Sequence, residues 1–183
     1  MVRNIKFKKN FLKLLYNCIL RYCKADDDSY LLLNNLKKFL KKFDHTKAYY
    51  IGHPLKFNSL KYNSGGTGYI LSREAVKQLS EKLIYNETIC PFNIFEDEGI
   101  GMCLKNINIE ALEFTEDQDQ SQLFLRDGFE SAFNGNLFNY RRNNIRKKME
   151  GIRAISNDLI SVHRLSSFEI YLTDKLLYKM NVK

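Results

Sequence analysis

The chain has no run of about 20 apolar residues, the length that a helix needs to cross a membrane. Near the N-terminus, Lys13 and Asn17 interrupt a stretch whose apolar side chains recur at helical spacing. This pattern predicts an amphipathic helix over about residues 8–19 instead of a membrane anchor. The chain also has no internal repeats and no long low-complexity tract, so a repeat architecture is excluded.

The net charge of +8 does not come from one dense basic run. Lysine pairs at 37–38 and 41–42 lie on a stretch with helical periodicity, where a solvated helix face explains them. The run between residues 141 and 148 is denser, but even with it we expect no nucleic-acid partner. A chain of 183 residues with 44% hydrophobic and 13% aromatic residues is predicted to form one globular domain.

The four cysteines are Cys18, Cys23, Cys90 and Cys103. Four cysteines allow three pairings, and the sequence by itself does not choose among them. The triplet that begins at Asn86 (Asn-Glu-Thr) is an N-glycosylation acceptor pattern. Such triplets often arise by chance, so this one only weakly favours a secretory compartment.

Strand-like and helix-like segments alternate along the chain, which predicts an α/β domain. The predicted strands lie near residues 20–25, 48–51, 69–71, 107–111 and 159–162, and the predicted helices near 31–42, 73–84, 99–105 and 169–179. Residues 56–63 form a loop or a hairpin, and 114–158 are irregular apart from a basic helix near 141–151. Because open α/β sheets bind ligands beyond the carboxyl ends of their strands, the residues that follow strands are the first site candidates.

Three consecutive carboxylates, Asp26, Asp27 and Asp28, follow the first predicted strand. Adjacent carboxylates repel one another, and a hard divalent cation such as Mg²⁺ or Mn²⁺ is their usual counter-charge. The first and third can reach one ion while the middle one turns elsewhere. The alternative is a solvated acidic turn that caps the next helix, since acidic residues favour helix N-termini.

Four segments, taken in order, resemble a known family. They read Lys-Ala-Asp-Asp-Asp-Ser-Tyr at 24–30, Ser-Gly-Gly-Thr-Gly-Tyr-Ile-Leu-Ser at 64–72, Phe-Glu-Asp-Glu-Gly-Ile-Gly at 95–101 and Ile-Ser-Val-His at 160–163. Together they resemble the core 1 beta-1,3-galactosyltransferase (T-synthase) family, a branch of the fringe-like glycosyltransferases. The resemblance covers about residues 10–112 and returns at 159–178.

The resemblance implies a GT-A type fold, in which helices flank a mixed sheet. It implies an Mn²⁺-dependent, inverting transfer of galactose from UDP-galactose to N-acetylgalactosamine on Ser or Thr of a glycoprotein, the step that makes O-glycan core 1. Family members are type II membrane proteins of the Golgi. The resemblance therefore implies a Golgi-lumenal domain with a membrane anchor in the full-length protein, and a homodimer is left open.

The resemblance also implies roles for single residues. Asp26, Asp28 and His163 match the metal ligands, and Asp97 matches the base that takes the proton of the attacking hydroxyl, with its neighbour Glu96 as the second choice. Without the resemblance, His163 would be an ordinary histidine and the acidic pair a helix N-terminal cap.

Further matches concern the substrate pocket and a disulfide. Asp27, Gly65 and Gly66 are expected to line the donor and acceptor pocket. The two glycines suit this position because a residue without a side chain lets the backbone approach a ligand closely. Cys90 and Cys103 match a pair that brackets the acidic motif, so a disulfide is expected there. The other two cysteines are expected to be small buried apolar residues.

Two features depart from the family. The chain has no tryptophan, whereas relatives have a Trp-rich segment before the final strand that contacts the acceptor sugar; here Phe138 or Tyr140 would supply the stacking face.

Relatives also carry an upstream strand–helix–strand unit that holds uracil and ribose. We therefore expect one partial catalytic domain, 1–183, without its first nucleotide-binding βαβ unit. Within it, the motifs from the metal motif to the acidic motif lie in 10–112, and a divergent acceptor-side region occupies 113–158. The last strand and the C-terminal helix occupy 159–183. Either the chain is a fragment or this half-site is absent.

Two other functions stay open from the sequence. One is another fringe-like UDP-sugar transferase, such as one that moves N-acetylglucosamine onto fucose. The other is a non-catalytic relative that helps the true enzyme to fold. The family's example of such a partner lacks the aspartate metal motif, which this chain retains.

Overall fold

A computed structural model describes residues 20–113, 121–134 and 151–179. The strands are β1 (Arg21–Lys24), β2 (Tyr30–Leu31), β3 (Tyr50–Gly52), β4 (Pro54–Phe57), β5 (Leu60–Asn63), β6 (Tyr69–Ser72), β7 (Ala111–Glu113), β8 (Phe124–Leu125) and β9 (Ser161–Val162). The helices are α1 (Leu33–Leu40), α2 (Arg73–Tyr85), α3 (Glu96–Lys105), α4 (Gly128–Phe133) and α5 (Ser167–Asp174). Short 3₁₀ helices span Glu87–Ile89 and Gly151–Ala154, and a π-helical turn, Lys175–Lys179, follows α5.

The strands form three sheets. The largest has the order β1-β6-β3-β7, in which β6 runs antiparallel to both β1 and β3 and β7 runs parallel to β3. A second sheet has the order β2-β9-β8, with β9 antiparallel to β2 and parallel to β8, and β4 and β5 form a hairpin. The mixed α/β class predicted from the sequence is confirmed, and it fits a glycosyltransferase-like fold.

The large sheet buries both of its faces. Strand residues alternate between faces, so Tyr50 and Leu71 pack with α2 and α3 on one side, while Ile51 and Ile70 pack with α1 on the other. Phe124, in β8, and Ile160, just before β9, belong to the α1 side. The small sheet is therefore packed against the large one, and this packing brings together the ends of β1 and β9.

Helix α2 has a clear local cause. Ser72 is its N-cap and accepts a hydrogen bond from the Ala75 N–H at 3.2 Å, while Glu74 complements the positive end of the helix. The sequence predicts this helix to within one residue. Because α2 begins where β6 ends, it runs back over the large sheet and buries Ala75 and Leu79.

Several predictions need correction. The stretch 114–158, predicted to be irregular before its basic helix, contains β8 and α4. The strand placed at 107–111 begins only at Ala111, because the N–H groups of Ile107 and Ile109 bond back to Leu104 and close α3 in a turn around Asn108 (φ 63°). Helix α3 begins at Glu96 and not at residue 99.

The prediction that Cys23 is buried also needs correction. Cys23 is exposed, and it lies on β1, an edge strand of the large sheet. Cys18, the helix expected at 8–19 and the basic run at 141–148 lie outside the described residues. Within the described ranges, no helix combines the length and the apolar character that crossing a membrane requires.

Candidate metal and catalytic site

The metal-binding candidates are brought together by the pairing of β2 with β9. Tyr30 lies opposite Val162 in that pair, so the residues just before β2 face the residue just after β9. The Leu165 N–H donates to the Asp28 carbonyl at 2.9 Å and fixes this approach. As a result, one ligand atom from each of Asp26, Asp28 and His163 lies within 4.8 Å of the others.

Two buried atoms of this group have no hydrogen-bond partner among the described residues, Asp28 Oδ1 and His163 Nδ1. His163 Nε2 lies 3.2 Å from Asp28 Oδ1, and this close contact is not a well-formed hydrogen bond. Oxygen ligands of divalent cations lie about 2.0–2.6 Å from the ion, so two ligands of one ion are up to about 5 Å apart. Two carboxylates and one imidazole at these separations therefore fit a borderline cation such as Mn²⁺.

A glycine loop, residues 64–68, covers this group. The Ser29 hydroxyl donates to the Gly66 carbonyl, and the His163 ring fills the space where a side chain at position 66 would lie. Gly68 adopts a φ of +90°, which side-chain-bearing residues rarely adopt, and its N–H bonds to the Gly65 carbonyl at 3.2 Å. The loop thus presents bare backbone beside the candidate metal ligands.

The acidic residues of α3 meet the other side of the same loop. The Gly65 N–H donates to Asp97 Oδ2 at 3.0 Å, and the Glu98 N–H donates to Asp97 Oδ1 at 2.9 Å. Gly65 and Gly66 are consecutive, and consecutive Cα atoms are about 3.8 Å apart. The carboxylate of Asp97 contacts Gly65 and the ring of His163 lies against Gly66, so the two side chains meet adjacent residues of one loop.

Glu96 is occupied differently from its neighbour. It accepts a hydrogen bond from the Tyr69 hydroxyl through one oxygen, and its other oxygen lies 3.2 Å from Lys24 Nζ. Burial, together with the bond to Glu96, raises the pKa of Tyr69 above its ordinary value. Both oxygens of Glu96 thus contact other side chains, whereas the oxygens of Asp97 accept only backbone N–H groups.

Lys24 has a role that was not predicted from the sequence. Its Nζ lies 2.6 Å from Asp26 Oδ1 and bridges that carboxylate to Glu96. Partial burial by itself would lower the pKa of Lys24, but its contacts with Asp26 and Glu96 outweigh this, and the net shift is upward. The only sequence signal was a lysine two residues before an acidic cluster, which does not reveal the distant partner.

The remaining predicted substrate residues are less informative. Asp27 is exposed and lies outside the group formed by its two neighbours. Phe138 and Tyr140 lie outside the described residues.

The structure joins Cys90 to Cys103, the pair that the resemblance implies. The bond ties the loop before α3 to the last turn of that helix. Asn106 reinforces it by donating to the Ile89 carbonyl at 2.8 Å. The segment that carries Asp97 is therefore held at both ends.

Comparison with known proteins agrees with this geometry. The family model described as Fringe-like matches residues 7–116, which is more than half of the chain. Over 169 residues, the chain is 27% identical to glycoprotein-N-acetylgalactosamine 3-beta-galactosyltransferase 1 of Xenopus laevis. That alignment covers 87% of this chain but only 45% of the relative, so the chain spans less than half of the relative's length. From the extent of the family match, the chain belongs to the Fringe-like family of glycosyltransferases.

Proposed function

We propose that this chain carries the metal-binding and catalytic part of an inverting galactosyltransferase. The reaction would move galactose from UDP-galactose to N-acetylgalactosamine on Ser or Thr of a glycoprotein, forming a beta-1,3 linkage. The observation that carries the proposal is the convergence of Asp26, Asp28 and His163, with Asp97 on the other side of the same glycine loop. The name of the Xenopus relative supports the choice of substrates.

Asp26, Asp28 and His163 would hold Mn²⁺. The bound ion would offset the negative charge that develops on the departing diphosphate. The chain's own part is to fix the ligands. The β2–β9 pairing orients Asp28 and His163, and Lys24 balances the charge of Asp26 through its contact with Oδ1 before the ion binds.

Asp97 is the proposed base. Inversion requires a group on the acceptor side that removes the proton of the attacking hydroxyl while the sugar leaves the diphosphate on the opposite face. The N–H groups of Gly65 and Glu98 each bond to one oxygen of Asp97 and so fix its direction. A carboxylate oxygen accepts more than one hydrogen bond, so both oxygens can still receive a proton.

The glycine loop would bind the substrates with backbone alone. A side chain at position 65 would collide with Lys24 and crowd Asp97, and one at 66 would collide with His163. The absence of side chains at 65 and 66 therefore lets Lys24, Asp97 and His163 pack directly against the loop. Asp27, exposed beside the metal ligands, is proposed to contact the donor.

The compartment follows from the same proposal. A disulfide between Cys90 and Cys103 is typical of proteins that fold in an oxidising compartment. With the proposed glycoprotein acceptor, this supports a Golgi-lumenal domain that a membrane anchor holds in the full-length protein.

Calorimetric titration tests the metal site. Mn²⁺ is titrated into the chain, and UDP is then added with Mn²⁺ or with EDTA. We expect Mn²⁺ binding and Mn²⁺-dependent UDP binding in the wild type, and loss of both in Asp28→Asn. Asp27→Asn is the matched control, since it removes a neighbouring carboxylate outside the metal group, and it should bind Mn²⁺ like the wild type. Equal Mn²⁺ affinity in all three proteins would contradict the metal assignment.

Transfer assays test the substrates. The chain is given UDP-galactose or UDP-N-acetylglucosamine, with a glycopeptide that carries either N-acetylgalactosamine or fucose. Transfer of galactose to N-acetylgalactosamine is the expected result. Preference for UDP-N-acetylglucosamine and fucose would change the proposed substrates but not the assignment of the chain to the Fringe-like family. A chain that binds Mn²⁺ and UDP but transfers neither sugar would contradict the catalytic proposal.

A further inference from the structure

Asn86 occupies an exposed junction between two helices. It follows the last residue of α2 and is the N-cap of the 3₁₀ helix Glu87–Ile89. Asn86 and Thr88 are both exposed, and the residue between them is glutamate and not proline. The acceptor triplet found in the sequence is thus on the surface, and the proposed transferase reaction does not use it.

The side chains of the triplet contact each other. Asn86 Oδ1 accepts the Thr88 N–H at 3.0 Å and the Thr88 hydroxyl at 2.6 Å. The amide oxygen thereby forms the turn, and the amide nitrogen stays outside this ring of hydrogen bonds. The hydroxyl that the acceptor pattern requires at its third position lies in direct contact with the amide that would be modified.

We propose that Asn86 carries an N-linked oligosaccharide. In this reaction Asn86 Nδ2 forms a bond to the anomeric carbon of an oligosaccharide donated by a polyprenyl-diphosphate carrier. The bond between that carbon and the carrier's diphosphate breaks, the diphosphate leaves with the bonding electrons, and Nδ2 loses one proton. No electron transfer is needed.

The local structure tolerates this modification. A glycosylated asparagine keeps its amide carbonyl, so both hydrogen bonds to Thr88 survive and the 3₁₀ helix stays capped. The preceding residue, Tyr85, is 89% exposed, so the junction is open to solvent. An attached glycan would also cover this exposed aromatic ring.

The disulfide gives independent support for the required compartment. Cys90 lies four residues after Asn86 and is bonded to Cys103. Disulfides persist in oxidising compartments, where the oligosaccharide carrier and its transferase also act. Two local features, one geometric and one redox, therefore point to the same modification.

Three variants are matched for the test. Asn86→Asp keeps an oxygen that can accept both Thr88 hydrogen bonds but removes the nitrogen. Thr88→Ser keeps the hydroxyl and the acceptor pattern, whereas Thr88→Val removes only the hydroxyl and keeps the backbone N–H that bonds to Asn86. Each is produced as the full chain in animal cells beside the wild type, and the natural protein is purified from the cells that make it.

The measurement is gel mobility and peptide mass spectrometry before and after treatment with peptide N-glycosidase. The wild type, Thr88→Ser and the natural protein should shift to faster mobility on treatment, with aspartate found at position 86 afterwards. Asn86→Asp and Thr88→Val should run at the faster position without treatment. Unmodified asparagine at position 86 throughout the natural protein would overturn the proposal, as would a shift that persists in Asn86→Asp.

Discussion

The imidazole of His163 fills the space where a side chain on Gly66 would lie. A Cβ built on Gly66 would be 2.1 Å from Cε1 of that ring, far inside van der Waals contact. The residues come from segments almost a hundred positions apart, the glycine loop and the turn after β9. Their contact makes the glycine loop and the metal-binding group one structural unit.

Replacing Gly66 with alanine should therefore weaken metal binding. The added methyl group pushes against a ring that is 15% exposed, and the ring must turn away from Asp28. We expect Mn²⁺ affinity to fall by about 10–100-fold, as it does when the support of a metal ligand is lost. Calorimetry or electron paramagnetic resonance of bound Mn²⁺ measures this without any assay of activity.

Gly99→Ala is the matched control for this experiment. A Cβ there would meet only Asn93 Cβ, at an ordinary contact distance of 3.5 Å, inside α3. Alanine is favoured over glycine in a helix by about 1 kcal/mol, so this variant should unfold at a slightly higher temperature and bind Mn²⁺ normally. If Gly66→Ala binds Mn²⁺ as tightly as Gly99→Ala does, the loop does not support His163.

Asp97 and Glu96 should differ in their effect on turnover. Asp97→Asn removes the proposed proton acceptor, so kcat should fall by about 10²–10⁴-fold. Glu96→Gln still accepts the Tyr69 hydrogen bond and loses only the charge that faces Lys24, so kcat should fall by less than about tenfold. Initial rates at saturating substrates measure both.

Metal titration serves as the control for that pair of variants, because neither residue is a proposed ligand and both proteins should bind Mn²⁺ like the wild type. A larger loss of kcat in Glu96→Gln than in Asp97→Asn would reverse the two roles.

Lys24→Met should bind Mn²⁺ more tightly than the wild type. The ammonium group lies 2.6 Å from a proposed ligand oxygen, so it competes with the ion and repels it. Two unit charges 4 Å apart in water interact by about 1 kcal/mol, which is about fivefold in an equilibrium constant, so removing the lysine should raise affinity by about fivefold at low salt. Titrations at low and high ionic strength should show the difference shrinking as salt screens the charges.

Lys24→Arg is the control for the charge, because it keeps the cation and should leave the affinity near that of the wild type. Weaker Mn²⁺ binding in Lys24→Met would show that Lys24 chiefly holds Asp26 in place.

His53 should make the fold sensitive to acid. Burial, followed by the nearby charge of Arg126, lowers the pKa of His53 to about 4, from the 6.5 expected in the unfolded chain; Asp127 and the Phe124 backbone oppose the shift. Between these values the unfolded chain binds the proton and the folded chain does not. Stability should therefore fall as the pH drops from about 6.5 to about 4, by about 3 kcal/mol for this group.

Denaturant unfolding at pH 7 and at pH 4.5 measures this effect. His53→Asn removes the titrating group, so its loss of stability between the two pH values should be smaller by about 2 kcal/mol than in the wild type. An equal loss in both proteins would assign the acid sensitivity to other groups.

Much of the fold was predictable because its causes are local. The Ser72 cap and the apolar spacing that follows it fix α2, and β6 is a short, mostly apolar segment between the glycine loop and that cap. The predictions failed where a backbone turn decided the outcome. The apolar residues at 107–109 look like a strand, but they close α3 because Asn108 adopts a left-handed conformation.

The sequence by itself determined which residues could supply the chemistry. Adjacent aspartates, glycines without side chains and an acidic helix start are local features, and their order along the chain carried the family resemblance. Only the tertiary structure decided which of them meet. The β2–β9 register places His163 beside Asp28, and the loop approach places Gly65 against Asp97. The partnership of Lys24 with Glu96 joins residues from β1 and α3. Such contacts depend on how sheets and helices pack over long separations, and the local pattern that forms each element does not encode them.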